Sequence, residues 1–212
     1  MAQAHADQAL ALLDAVAEPS LCAEARHVLG MAECMGRVAP GASLLQDAAA
    51  ALHRHGPAQA ECRVLRDLGA VLTNLTGDLQ GAVEALERAL VLAEALGDRY
   101  EQGMVLARLG PLFGRLGRLD DAETKLRAAL QCLADGPDRR SHGTTLVNLG
   151  YVQIQRGAFE QAVPCCRALR LLDAVGDRLW RINANPTWPS PGPAVARRMT
   201  RCCGSWTTSA RA

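Results

Sequence analysis

The chain of 212 residues predicts an all-α fold, a right-handed superhelical solenoid of stacked antiparallel helix pairs. Three observations carry that expectation. First, a segment returns after 40 residues: Arg108-Leu109-Gly110 as Asn148-Leu149-Gly150, Gly117 as Gly157, Ala122 as Ala162, Arg99 as Arg139. A constant period of that size holds two helices and marks units that bury their apolar faces against one another. Second, aromatic residues make up only 3% of the chain while Ala and Leu abound. Such a composition suits closely packed helices rather than a sandwich or barrel. Third, apolar residues recur at i, i+3 and i+4, as in Leu119, Ala122, Leu126, Ala129, Leu130 and Leu133. That spacing draws one face of a helix.

The elements follow in order. Asp7–Asp14 reads as a lone second helix, so the chain begins inside a repeat and reads as a piece of a longer protein. Leu29-Gly30 marks the next first helix, with its second helix at about Ala42–Leu52. Leu68-Gly69 opens a unit with Gly77, Ala82, Leu86, Ala89 and Leu90, carrying one extra residue between Gly69 and Gly77. Gly97-Asp98-Arg99, Pro137-Asp138-Arg139 and Gly176-Asp177-Arg178 punctuate the later units; Gly ends a helix and Asp caps the next. In the regular unit the helices run from about Arg99 to Leu116 and from about Leu119 to Ala134. The following unit repeats the pattern with Phe159, Ala162, Val163, Cys166, Leu169 and Leu172. Pro111 falls inside a first helix, where it should remove a hydrogen bond and kink the axis, and Pro164 falls inside a second. Residues 1–19 are thus a partial repeat, 20–178 a repeat array, and 179–212 an irregular tail.

Composition excludes several functions. A net charge of +1 with interspersed acids and bases leaves no footprint for nucleic acid or an anionic membrane. No apolar run approaches the roughly 20 residues that span a bilayer. The first residues lack the basic and apolar regions of a signal peptide, so the expected compartment is cytoplasmic. Eight cysteines show no CxxC spacing; Cys22, Cys34, Cys62, Cys132 and Cys166 read as core filler. No Walker-type loop, HExxH or GxSxG is present, and the single lysine, Lys125, is not in a glycine-rich loop. His53 and His55 splay apart on a helix, so that cluster reads as a solvated helix end rather than a metal pair. Asp120, Asp121 and Glu123 open a helix, where acids complement the macrodipole. No catalytic site, metal or cofactor is expected.

The run Asn148-Leu149-Gly150, then Gly157, Ala162 and Ala168-Leu169 resembles the tetratricopeptide repeat over roughly residues 20–178. The usual repeat of that family is about 34 residues, and this one is longer. The variant is similar to repeats of large bacterial signalling proteins and transcriptional activators. The resemblance implies a concave face lined by first helices that holds a protein or extended peptide. Carried residue by residue, its groove positions are Arg63, Arg66, Thr73 and Asn74, then Met104, Arg108 and Arg115, then Thr144, Asn148, Tyr151 and Gln155. Several guanidiniums and amides suit an acidic or extended peptide. The family's carboxylate clamp of lysines and asparagines is absent. The leading expectation is therefore a protein-binding scaffold, a regulatory segment of a larger bacterial protein. A small-molecule-sensing regulatory domain is the alternative, and an enzyme the weakest reading.

The chain changes character after about Ala184. Four prolines fall from Asn185 to Pro193, which forbids a helix, and two of the three tryptophans lie after Ala184. Back-translated and read two bases out of phase, the tail permits Asn-Leu-Ala, a turn, and a further apolar helix, 39 residues after Leu149-Gly150, just as Arg178 follows Arg139 by 39. The tail thus reads as a frameshift product that replaces the next repeat. An array ending there would expose apolar surface and self-associate through its uncapped end.

Overall fold

The computed structural model describes residues 8, 11–12, 18–136, 138–158 and 160–162, all helix, turn or short connection with no strand among them. Helices α1 (Pro19–Cys34) and α2 (Val38–His55) form the first pair. Helix α3 (Ala58–Val71) runs into a π-helical turn, Leu72–Thr76, and pairs with α4 (Leu79–Ala95). Helices α5 (Arg99–Arg115) and α6 (Leu119–Leu133) come next, followed by α7 (Arg139–Gln155). The chain divides into two compact units at Arg108/Leu109, inside α5.

In the first unit α1 packs on α2, α2 on α3 and α3 on α4. The core is aliphatic: Leu45, Leu52, Val64, Leu65, Leu68 and Leu86, interleaved with Ala48, Ala82, Ala89 and Ala93, all buried. Fully burying one such leucine is worth about 1.5–3 kcal/mol. In the second unit α6 packs on α7 around Leu109, Leu112, Phe113, Leu126, Ala129 and Leu133. Small residues stand at one second-helix position throughout: Ala42, Ala82, Ala122 and Ala162, each buried and 40 residues from the next.

The Leu-Gly pairs work as close-approach points. A Cβ added at Gly30 would meet Leu45 Cγ at 3.1 Å, and one at Gly69 would meet Leu86 Cγ at 2.5 Å. One at Gly110 would press on Leu126 more closely still. First and second helices therefore touch at these glycines in all three pairs, at Leu86 and Leu126 in one register and at Leu45 one residue earlier. Gly77, Gly117 and Gly157 then turn the chain with φ of 76°, 75° and 76°. At Gly117 and Gly157 the turn closes in a Schellman pattern, with Arg118 N–H to Phe113 O and Ala158 N–H to Gln153 O. Asp98 and Asp138 cap the helices that follow, accepting from the N–H groups of Glu101 and Ser141 at 3.0 Å.

Several expectations are refined. The extra residue between Gly69 and Gly77 appears as the π-helical turn, which absorbs a one-residue insertion without breaking the helix. There the Thr73 and Thr76 hydroxyls donate to Gly69 O and Leu72 O. Helix α2 is longer than the expected Ala42–Leu52. Pro40 sits in its first turn, where no intrahelical N–H bond is lost. Helix α5 continues through Pro111 to Arg115. The expected lone helix at Asp7–Asp14 is described only at residues 8, 11 and 12, which are helical. Phe159, Val163, Pro164, Cys165, Cys166, Leu169, Leu172, the Gly176-Asp177-Arg178 mark and the tail after Ala184 lie outside the described residues.

Candidate functional site

Three consecutive first helices of the first unit, α1, α3 and α5, meet in a cluster of charged side chains. Arg66 of α3 donates from Nη1 to both carboxylate oxygens of Glu101 on α5, at 2.7 and 2.5 Å. Its Nε reaches Oδ1 of the adjacent Asp67 at 3.3 Å. His27 of α1 donates from Nε2 to Asp67 Oδ2 at 3.0 Å. Arg108 of α5 lies with Nη2 4.0 Å from Asp67 Oδ1, an ion pair without hydrogen-bond contact. Asp67 thereby ties all three helices together.

The pairing is uneven. Burial alone would lower the Arg66 guanidinium, but Asp67 and Glu101 beside it hold it above its ordinary value. Burial pushes the Asp67 carboxyl up, yet the His27 hydrogen bond and the two arginines outweigh it and keep it below the usual carboxylate range. Arg108 is the exception. Burial drives its value down, Asp67 restores only part, and Arg66 adds repulsion. Its Nε is sealed from solvent with no hydrogen-bond partner, although the side chain as a whole is 37% exposed. A buried guanidinium N–H without an acceptor costs about 1–3 kcal/mol or more.

The remaining expected groove residues are placed as follows. Arg63 and Asn74 are exposed; Met104, Arg115, Thr144, Tyr151 and Gln155 are half-buried; Thr73 and Asn148 are buried. Gln155 donates from Nε2 to Tyr151 Oη at 2.7 Å, and the Thr73 hydroxyl is turned onto its own helix. Arg66 and Arg108, two of the groove positions that the resemblance implies, are partly claimed by the carboxylates of Glu101 and Asp67.

Sequence reasoning missed His27, Asp67 and Glu101. Their only signal was the adjacent opposite charges of Arg66-Asp67, and nothing local tells which helix Asp67 will bridge. It also left the partners of Glu123 unread. That carboxylate is buried, and in the second unit it receives Arg127 at 2.7 Å, Arg156 and Gln153. Arg156 also reaches Asp120 at 2.5 Å. His53 stays largely exposed at its helix end, with Nδ1 3.2 Å from buried Glu61, which Arg88 also reaches.

Chemistry is sparse among the described residues. No group of three or more His, Cys, Asp or Glu side chains could hold a metal ion. Cys22, Cys34 and Cys62 are buried free thiols, and Cys132 is free but half-buried. The Cys62 thiol bonds to Ala89 O at 3.3 Å, and burial reinforced by Glu101 pushes it up to about 11. It is thus a protonated, inert thiol at neutral pH. No described helix is long and apolar enough to cross a membrane.

The fold and this site define a helical repeat protein, a TPR-like solenoid without a visible reaction centre among the described residues. No protein-family model matches the chain, and no curated protein matches it in sequence. Solved structures do match. BtubC (BKLC) from P. vanneervenii is similar at 20% identity and a TM-score of 0.70, over 90% of this chain and 76% of that one. A putative kinesin light chain of Podosopora anserina with nearly identical TPR-like repeats is similar at 18% identity and a TM-score of 0.61, over 83% and 90% of the two chains. A single-substitution form of that light chain gives 16% identity and a TM-score of 0.65, over 88% and 87%. At such identities the likeness establishes the TPR-like repeat fold and nothing finer.

Proposed function

We propose that this chain is a protein- or peptide-binding scaffold, a non-enzymatic regulatory segment of a larger bacterial signalling or transcription-regulatory protein, working in the cytoplasm. The observation that supports it is that two first-helix positions stay accessible in each unit. Arg63, Met104 and Thr144 occupy one first-helix position in α3, α5 and α7, and Asn74, Arg115 and Gln155 occupy another. All six are exposed or half-buried, while Leu68-Gly69, Leu109-Gly110 and Leu149-Gly150 between them are buried. The side chains at these positions differ in charge, size and hydrogen-bonding capacity. Accessible positions that recur from helix to helix and carry different groups suit recognition of a protein or peptide better than chemistry on one reacting atom.

The test is affinity capture from a bacterial lysate with the full chain, beside a thermal-shift screen of a metabolite panel. A protein captured saturably by the parent and lost with Arg63→Glu supports scaffolding. No captured protein, together with a raised melting temperature for one metabolite, favours the sensing alternative instead.

A further inference from the structure

Helix α1 packs on α2 through one side, with Cys22, Ala23, Gly30 and Cys34 buried there. Its opposite side carries an apolar stripe. Leu21 is 58% exposed, Val28 70%, Met31 38% and Met35 91%. Leu21, Val28 and Met35 recur every seven residues, with Met31 between the last two, which is the spacing of a helix-pairing seam. Exposed Glu24 takes the matching place between Leu21 and Val28, and Ala25 and Ala32, also seven apart, flank the seam. Aligned on the Leu-Gly pairs, α3 and α5 carry Asp67 and Arg108 where α1 carries Val28, so those later first helices do not repeat the stripe.

The stripe is complementary to itself in one orientation. Two copies of α1 laid antiparallel about a two-fold axis at Val28 bring Val28 against Val28 and Leu21 against Met35. Each Met31 then meets Ala25, a large side chain against a small one, and each Glu24 meets Ala32, which leaves the carboxylate room to stay in water. The ends match as well. Exposed Glu18, before the first residue of α1, comes opposite exposed Arg37, just past its last turn. Arg37 pairs with Glu33 at 3.5 Å within its own chain, and a guanidinium fork can serve a second carboxylate. Antiparallel helices also set opposite dipole ends side by side. A parallel pair would stack Glu18 on Glu18, Glu24 on Glu24 and Arg37 on Arg37, and like charges so placed repel. An exposed apolar patch rimmed by charge marks an interaction surface, and methionine adapts to the shape it meets. We infer that two copies of this chain pair through α1, antiparallel and two-fold about Val28. One helix face is smaller than the about 800 Å² per partner of a standard interface, so the dimer should be weak and concentration-dependent. The contact uses none of Arg63, Met104 and Thr144, so it stands or falls apart from the scaffold reading.

The test is sedimentation velocity of the full chain over a concentration series, which should show a reversible monomer–dimer equilibrium. Val28→Asp sets two carboxylates at the axis and should raise the dissociation constant about tenfold or more. Glu18→Arg and Arg37→Glu should each weaken the dimer, and the two together should restore it, which a parallel or unrelated contact would not do. Val28 is largely exposed and the Glu18 side chain caps no N–H, so these variants should melt like the parent at concentrations where the parent is monomeric. A parent that stays monomeric up to about 100 μM overturns the inference. So does a dimer that Val28→Asp leaves intact, or a pair of charge variants that fail to rescue one another. Growth beyond two copies overturns it as well, since an isologous two-fold contact closes at the dimer.

Discussion

Gly69→Ala should destabilise the first unit through a single contact. The added Cβ would lie 2.5 Å from Leu86 Cγ, 2.8 Å from Cδ2 and 3.2 Å from Cδ1. Carbon atoms rest at about 3.5–4.0 Å, so about 1 Å of room must be found. Leu86 is fully buried between Ala82 and Ala89, which are also fully buried, so it cannot swing outward. Overpacking of this kind costs about 1–3 kcal/mol. Alanine is also the better helix former by about 1 kcal/mol, which offsets part of the loss. The single variant should therefore lose about 0–2 kcal/mol, a range too close to zero to decide the matter. A double-mutant cycle separates the two effects, because the propensity gain does not depend on residue 86. Leu86→Ala alone should cost about 2–5 kcal/mol. Placed in that background, Gly69→Ala should no longer clash and should stabilise by about 1 kcal/mol. The coupling between the two positions should then be about 1–3 kcal/mol, read by urea denaturation of the full chain followed by far-ultraviolet circular dichroism. Additivity within about 0.5 kcal/mol would refute the claim that α3 and α4 touch at this point.

The charge cluster predicts acid sensitivity. Asp67 is held below its ordinary value when folded, so its contribution is fully present above the usual carboxylate range and is lost as pH falls through the lowered folded value. Asp67→Asn should lower the melting temperature at pH 7 and flatten its fall as the pH drops below the usual carboxylate range, and a parallel fall in both proteins would count against the role of this carboxylate. Cys62 predicts the opposite limb. Its folded value of about 11 lies above the ordinary 9.0, so the stability it contributes is present below pH 9 and disappears as pH rises towards 11. Iodoacetamide at pH 8 should leave Cys62 unlabelled in the native chain and label it in urea, as read by peptide mass spectrometry; prompt native labelling would contradict its burial against Ala89 O.

The repeat was legible because its signals are local. A Leu-Gly pair, a turn glycine and a capping aspartate each act within one turn of helix, and a constant spacing shows that the same local events recur. Gly69, Gly77, Ala82 and Asp98 are such residues, and the structure uses each one as its local chemistry requires. The inserted residue between Gly69 and Gly77 was legible as an irregularity, but not as a π-helical turn. An insertion can be looped out or wound in, and which is cheaper depends on whether nearby hydroxyls such as those of Thr73 and Thr76 can serve the displaced carbonyls.

The candidate site was only partly legible, for a different reason. Arg66 and Arg108 stood out as first-helix cations, yet their pairing with Glu101 and Asp67 depends on helices 35 to 41 residues apart lying within 4 Å at their side-chain ends. A change of one residue in helix phase would turn those charges by about 100° and dissolve the cluster. The same holds for Glu123, whose place at a helix start does not tell that Gln153 and Arg156 will reach it. By itself, then, the sequence determined that this protein is an array of long helix pairs and where each pair turns, since those depend on short-range sterics and capping. Only the tertiary structure decided which charges are neutralised and which arginine is left short of a partner, since those depend on side chains that meet across helices far apart in the chain.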